Sequence, residues 1–152
     1  MIRVFSDFIQ RRRRNRRLKN KPIDESLPEH LKIGIAGENA ATRYYIRQGF
    51  DILERNYRLG KAELDIVAEN KHYFVFCEVK SKKVSSASLK GSPMAAVDSE
   101  KKRHMVQAAS YFSHRYRTSG KRFRFDVIEV YLSDNLDVIS INHIKNAFTV
   151  NR

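Results

Sequence analysis

Glu63-Leu64-Asp65-Ile66-Val67-Ala68-Glu69-Asn70-Lys71-His72-Tyr73-Phe74-Val75-Phe76-Cys77-Glu78-Val79-Lys80 is the stretch on which the fold turns. Tyr73 to Cys77 is an unbroken apolar run, the signature of a strand buried on both faces. Such a strand should not run straight into a carboxylate and an ammonium, because desolvating unpaired charge is costly. Side chains alternate along a strand, so Glu78 and Lys80 share a face and Val79 points the other way. Glu63 to Ala68 also alternates, and Glu69-Asn70-Lys71-His72 reads as a polar turn. A hairpin with a two- or four-residue loop then sets Asp65 opposite Phe76 or Glu78, on the face of Glu78 and Lys80. Two carboxylates and a lysine converging on a rigid sheet suggest a metal site. The simpler alternative is an ion pair between Glu78 and Lys80 at a strand end, with Asp65 solvated. The third carboxylate tips the balance towards the metal site.

Upstream, Leu31 to Gln48 carries a helical pattern that Gly49 closes. Gly34, Glu38, Ala41 and Tyr45 fall on one stripe of this helix, so Glu38 sits among small and aromatic residues. Gly37 costs about 1 kcal/mol of helix propensity relative to Ala, which implies a close approach at that turn. A plain surface glutamate is the alternative for Glu38. Phe50 to Tyr57 reads as a first strand with Gly60 in the following turn. Val84 to Pro93 is a Ser-rich loop next to Lys80. A second helix should start at Asp98 or Ser99, with Met105, Ala108, Ala109, Phe112 and Tyr116 as its apolar stripe. Lys101, Lys102 and Arg103 in its first turn oppose the helix dipole, which an anion bound there would explain and a solvated basic face would equally allow. Phe123 to Tyr131 alternates as a fourth strand, and Leu136 to Phe148 closes the domain.

With 152 residues, 41% of them hydrophobic, the chain suits one folded domain, assigned to residues 32–150. Residues 1–31 read as a basic extension. No stretch approaches the ~20 apolar residues of a membrane span. The single cysteine, Cys77, excludes an internal disulfide framework and fits a cytoplasmic protein. The net charge of +13 is unevenly spread. Residues 1–21 hold nine Arg and Lys against one Asp, a net +8. Arg11, Arg12, Arg13 and Arg14 lead a like-charge block expected to stay disordered when unbound. Such charge fits a nucleic-acid partner, with an anionic membrane surface or an assembly role as alternatives for the tail. The five histidines show no metal-ligand spacing, and no Gly-rich phosphate loop is present.

The order helix, three strands, helix, strand, with Glu38, Asp65 and Glu78-Val79-Lys80 at those places, resembles the PD-(D/E)xK restriction-endonuclease-like superfamily. Within it the chain is similar to the bacterial YraN family. The matching stretches are Gly34-x-x-Gly37-Glu38-x-x-Ala41, Arg55-Asn56-Tyr57-Arg58, Glu63 to Ala68, Phe76 to Lys80, Lys101 with Ala108-Ala109, Arg124-Phe125-Asp126-Val127 and His143-Ile144-x-x-Ala147-Phe148. Ala62 and Lys82 depart from the family's usual Gly and Arg, away from the site.

The resemblance implies an α/β fold, a central mixed sheet flanked by helices in the order αβββαβ. It further implies a Mg2+- or Mn2+-dependent nuclease acting on DNA, in the manner of structure-selective junction resolvases. Asp65, Glu78 and the Val79 carbonyl would bind the metal, and Lys80 would orient the attacking water. Glu38 would hold a second metal or a metal-bound water. Lys101 would contact a phosphate, beside Lys102 and Arg103. A non-catalytic nucleic-acid-binding protein that kept the fold is the rival reading, and homodimerisation stays open.

Overall fold

The computed structural model describes residues 20–85, 97–116 and 120–150. The expected arginine block, Arg11 to Arg14, and most of the Ser-rich loop fall outside them. Seven elements follow in order: α1 (Glu29–Arg47), β1 (Asp51–Leu59), β2 (Ala62–Glu69), β3 (Tyr73–Lys83), α2 (Ser99–Tyr116), β4 (Arg122–Leu132) and β5 (Val138–Phe148). The strands form one sheet in the order β1-β2-β3-β4-β5. Only β3 and β4 run parallel, joined through α2; the other neighbours are antiparallel. The fold class is the expected α/β, with a mixed sheet and two helices. The closing segment from Leu136, which the αβββαβ order leaves unassigned, supplies a fifth strand on the sheet edge.

Strand parity decides which helix each face meets. Val75 and Cys77 pack with Ala41 and Tyr45 of α1, together with Ile52, Ile66 and Ile128. Phe74 and Phe76 pack with Met105, Ala108 and Phe112 of α2, together with Phe125 and Val127. The apolar run is thus buried on both faces, as its composition requires. Gly49, at φ 84°, ends α1, and its N–H bonds the carbonyl of Ile46. Asp98 caps α2 by accepting the N–H of Lys101 at 2.8 Å.

The close approach expected at Gly37 is with β3. A Cβ there would stand 1.6 Å from Ser81 Oγ and 2.6 Å from Ser81 Cβ. The bare backbone of α1 lies directly on the strand, which holds Glu38 close to the sheet. Packing also begins before the expected boundary at residue 32. Ile23 packs on the α1-side core, and Asn39 exchanges two 2.8 Å hydrogen bonds with the backbone of Lys21.

Candidate active site

The hairpin register is Ile66↔Cys77, Val67↔Phe76, Ala68↔Val75 and Glu69↔Phe74. Continued by one step, it places Asp65 opposite Glu78. There the strands part. β2 stays with β1 as far as Leu59↔Ala62, and β3 stays with β4 as far as Lys83↔Leu132. In the opening, the Asp65 side chain replaces a ladder bond: its Oδ2 accepts the N–H of Val79 at 2.7 Å. The pair Asp65 and Glu78 therefore lies within the sheet, between β2 and β3, and Lys80 makes no contact with it among the described residues. β3 also runs on to Lys83, so Glu78 and Lys80 are not at its end.

Asp65 and Glu78 face each other across this opening, and Glu38 acts on Asp65 from the α1 side through its charge. Burial lifts the Asp65 carboxyl well above the usual range, and the charge of Glu78 adds to this; the Val79 N–H and Lys101 act the other way, and Glu38 adds a smaller upward push. Glu78 is partly buried, its side chain 16% exposed, with the Lys101 ammonium 2.9 Å from Oε2. Oε2 itself is shut off from solvent, so this ammonium is the charged partner that offsets it. Lys101 is held above the ordinary lysine range: burial opposes its charge, but Glu78, then Asp65 and Glu63, outweigh it.

Glu38 is engaged on the α1 side. Its Oε2 accepts from Asn56 Nδ2 at 2.9 Å and from Arg55 at 3.3 Å. The Arg55 side chain is only 1% exposed, and it also donates to Asn39 at 2.9 Å. Burial lowers its pKa, while Glu38 and, more weakly, Asp65 support its charge. In the sequence, Arg55 and Asn56 stand out only through the family resemblance. Their role depends on Asn56 at φ 50°, a left-handed residue that interrupts strand alternation and turns two successive side chains towards α1.

The ion-pair alternative can be compared with a real case in the same sheet. On β4, Arg124 and Asp126 do form an i, i+2 pair, Arg124 Nε donating to Asp126 Oδ1 at 2.8 Å. Glu78 and Lys80 do not. Lys80 is half-buried and has no ion-pair or hydrogen-bond partner among the described residues, while the cation of Glu78 comes from α2.

Asp126 itself anchors a separate buried cluster that sequence reasoning missed. It is fully buried and accepts from Arg124, from Tyr45 Oη at 2.9 Å and from the Asn146 N–H at 3.0 Å, with His143 Nε2 2.7 Å away. The shared face of Arg124 and Asp126 was a legible signal; Tyr45 and His143 are brought there only by the fold.

Among the described residues, no three His, Cys, Asp or Glu side chains close around one point. The residues still fit a hard divalent ion of the magnesium type. Such an ion takes oxygen ligands, and one or two carboxylates suffice when water or phosphate completes its shell. Asp65 and Glu78 could supply that pair, and the buried Oε2 of Glu78 is an oxygen of the right chemistry. Lys102 lies over the Phe148 ring at 5.5 Å. Arg103 is exposed on the same helical turn.

The sequence profile described as uncharacterised protein family UPF0102 matches residues 37–130, from the close-approach glycine into β4. The chain belongs to this family. A UPF0102 protein of Caldicellulosiruptor saccharolyticus is 40% identical over 118 residues, 77% of this chain and 97% of the relative. One from Clostridium acetobutylicum is 40% identical over 119 residues, 78% of this chain and 95% of the relative. A UPF0102 protein of Desulfosudis oleivorans is 36% identical over 125 residues, 82% of this chain and 96% of the relative. Among the described residues no helix is long and apolar enough to cross a membrane.

Proposed function

We propose that this UPF0102 protein is a metal-dependent nuclease that hydrolyses phosphodiester bonds in DNA. The observation that carries the reading is the pair Asp65 and Glu78 in the opening between β2 and β3, with a buried Glu78 oxygen balanced by the Lys101 ammonium of α2. A bound Mg2+ or Mn2+ would lower the pKa of a water and offset charge on the phosphoryl oxygens. Asp65 and Glu78 would hold it, with the Val79 carbonyl alongside. Lys80, which has no partner among the described residues, would orient the attacking water and stabilise developing negative charge. Glu38 would fix the outer hydration of the site, steadied by Arg55 and Asn56. Lys101 and its neighbours on α2, with the basic N-terminal segment, would hold phosphates. The +13 charge supports a polyanionic substrate.

The experiment is a cleavage panel on single-stranded, flap, junction and duplex DNA with Mg2+ or Mn2+. Cleavage should require metal and be abolished in Glu78→Ala, Asp65→Ala and Lys80→Ala. Activity unchanged by these substitutions would refute the assignment. One observation favours a second reading, a nucleic-acid binder without catalysis: Arg55 and Lys101 already offset two of the three carboxylates from within. Tight DNA binding with no cleavage on any substrate would favour that binder.

A further inference from the structure

The two cations that serve the carboxylate cluster are held very differently. Arg55 is fixed: buried, and hydrogen-bonded to both Glu38 and Asn39. Lys101 is not. Its backbone is tied by the Asp98 cap, but its side chain is 29% exposed and its ammonium, at the end of a flexible stem, touches Glu78 alone among the described residues. It also stands in the first turn of α2, where the helix dipole disfavours a cation. The carboxylate it approaches, Glu78, is one that a divalent ion at this site would use.

We infer that Lys101 is a resident counter-ion that occupies the cation position at Glu78 and yields it when a divalent ion binds. The inference rests on the metal-site reading above. A doubly charged ion on Asp65 and Glu78 repels an ammonium only 2.9 Å from one of its ligand atoms, and Arg55 cannot retreat whereas Lys101 can. Once displaced, the ammonium sits at the mouth of the opening, released to meet a substrate phosphate. Metal and substrate then bind cooperatively, because the ion frees the charge that the phosphate takes up.

The test is titration calorimetry of the full chain with Mn2+ alone, comparing wild type with Lys101→Met, Lys102→Met and Glu78→Gln. Lys102→Met removes the same charge from the same turn, at a side chain that lies over Phe148 instead. Lys101→Met should bind Mn2+ about tenfold more tightly than wild type, since a unit charge next to the ion is removed from a partly buried site. Lys102→Met should stay within about twofold of wild type, and Glu78→Gln should bind weakly. In Ca2+, the ion's enhancement of affinity for a short single-stranded oligonucleotide should be present in wild type and absent from Lys101→Met. Unchanged or weaker Mn2+ binding by Lys101→Met, or an equal gain in Lys102→Met, would overturn the counter-ion role and leave the metal site standing. Absence of Mn2+ binding in both wild type and Lys101→Met would overturn the two readings together. Melting curves of each variant establish that it is folded.

Discussion

Replacing Gly37 by alanine pits two effects of opposite sign against each other. On an exposed helix the change stabilises by about 1 kcal/mol, because alanine loses less backbone entropy than glycine. At Gly37 the new methyl meets Ser81. The Oγ at 1.6 Å is the end of a side chain and can rotate away, but the Ser81 Cβ at 2.6 Å cannot. Carbon atoms pack best at about 3.5–4.0 Å, so α1 and β3 must separate by roughly 1 Å. Overpacking of this kind costs about 1–3 kcal/mol. With the packing cost at the upper end and the propensity gain subtracted, Gly37→Ala should lower stability by about 2 kcal/mol. In urea the midpoint should fall with an unchanged slope, and Tm should drop by about 6 °C for a domain of this size. The companion variant Gly37→Ala/Ser81→Gly removes both offending atoms and leaves Ser81 Cα as the nearest neighbour, at an ordinary packing distance of 3.8 Å. It should recover most of the deficit relative to the sum of the single changes. A Gly37→Ala protein more stable than wild type would refute the close packing of α1 on β3, and with it the placement of Glu38.

Other perturbations address the charged groups. At Asp126 burial opposes the charge, but hydrogen bonds from His143, Arg124 and the Asn146 N–H outweigh it and hold the carboxyl below its ordinary value. Its contribution is therefore complete above the unfolded carboxylate pKa and disappears as pH falls through the folded one; Asp126→Ala should cost about 3–5 kcal/mol at pH 7, and the deficit should shrink in acid, as urea melts across pH would show. Asp65 is the opposite case, since burial and Glu78 raise its pKa and its ionised form strains the metal-free fold. Asp65→Asn keeps an acceptor for the Val79 N–H, so it should melt above wild type at pH values above the folded pKa and forfeit that advantage below the unfolded one. Removing residues 1–19, which include Arg11 to Arg14, should flatten the slope of log DNA affinity against log salt by about 0.7–0.9 for each phosphate that the tail neutralises. An unchanged slope would move the tail to a membrane or protein partner.

The hairpin shows how far local pattern reaches. Parity put Glu78 and Lys80 on one face, the polar turn left Asp65 opposite either Phe76 or Glu78, and the pairing Ile66↔Cys77 selects Glu78. The stop at Gly49 and the cap at Asp98 were equally legible, because each depends on the conformation of a few adjacent residues. β5 was harder. It is an edge strand with exposed positions on both faces, its hydrophobic alternation is weak, and Asn146 at φ 52° breaks its rhythm.

The α/β class came with the family resemblance. Spacing alone determined the order of helices and strands through the first four strands, the two-faced burial of Tyr73 to Cys77, and the choice of Asp65 and Glu78 as the residues to watch. Those features follow from side-chain period and from the cost of burying charge, which act over a few residues. Only the tertiary structure decided which cation serves which carboxylate. Lys80, the nearest in sequence, serves neither, while Lys101 comes from the crossover helix to Glu78 and Arg55 from β1 to Glu38. It alone decided that β2 and β3 part at the site, that Gly37 exists to admit Ser81, and that Tyr45 reaches Asp126 from 81 residues away. Such pairings are set by how two helices dock on opposite faces of one sheet, and no local periodicity encodes that docking.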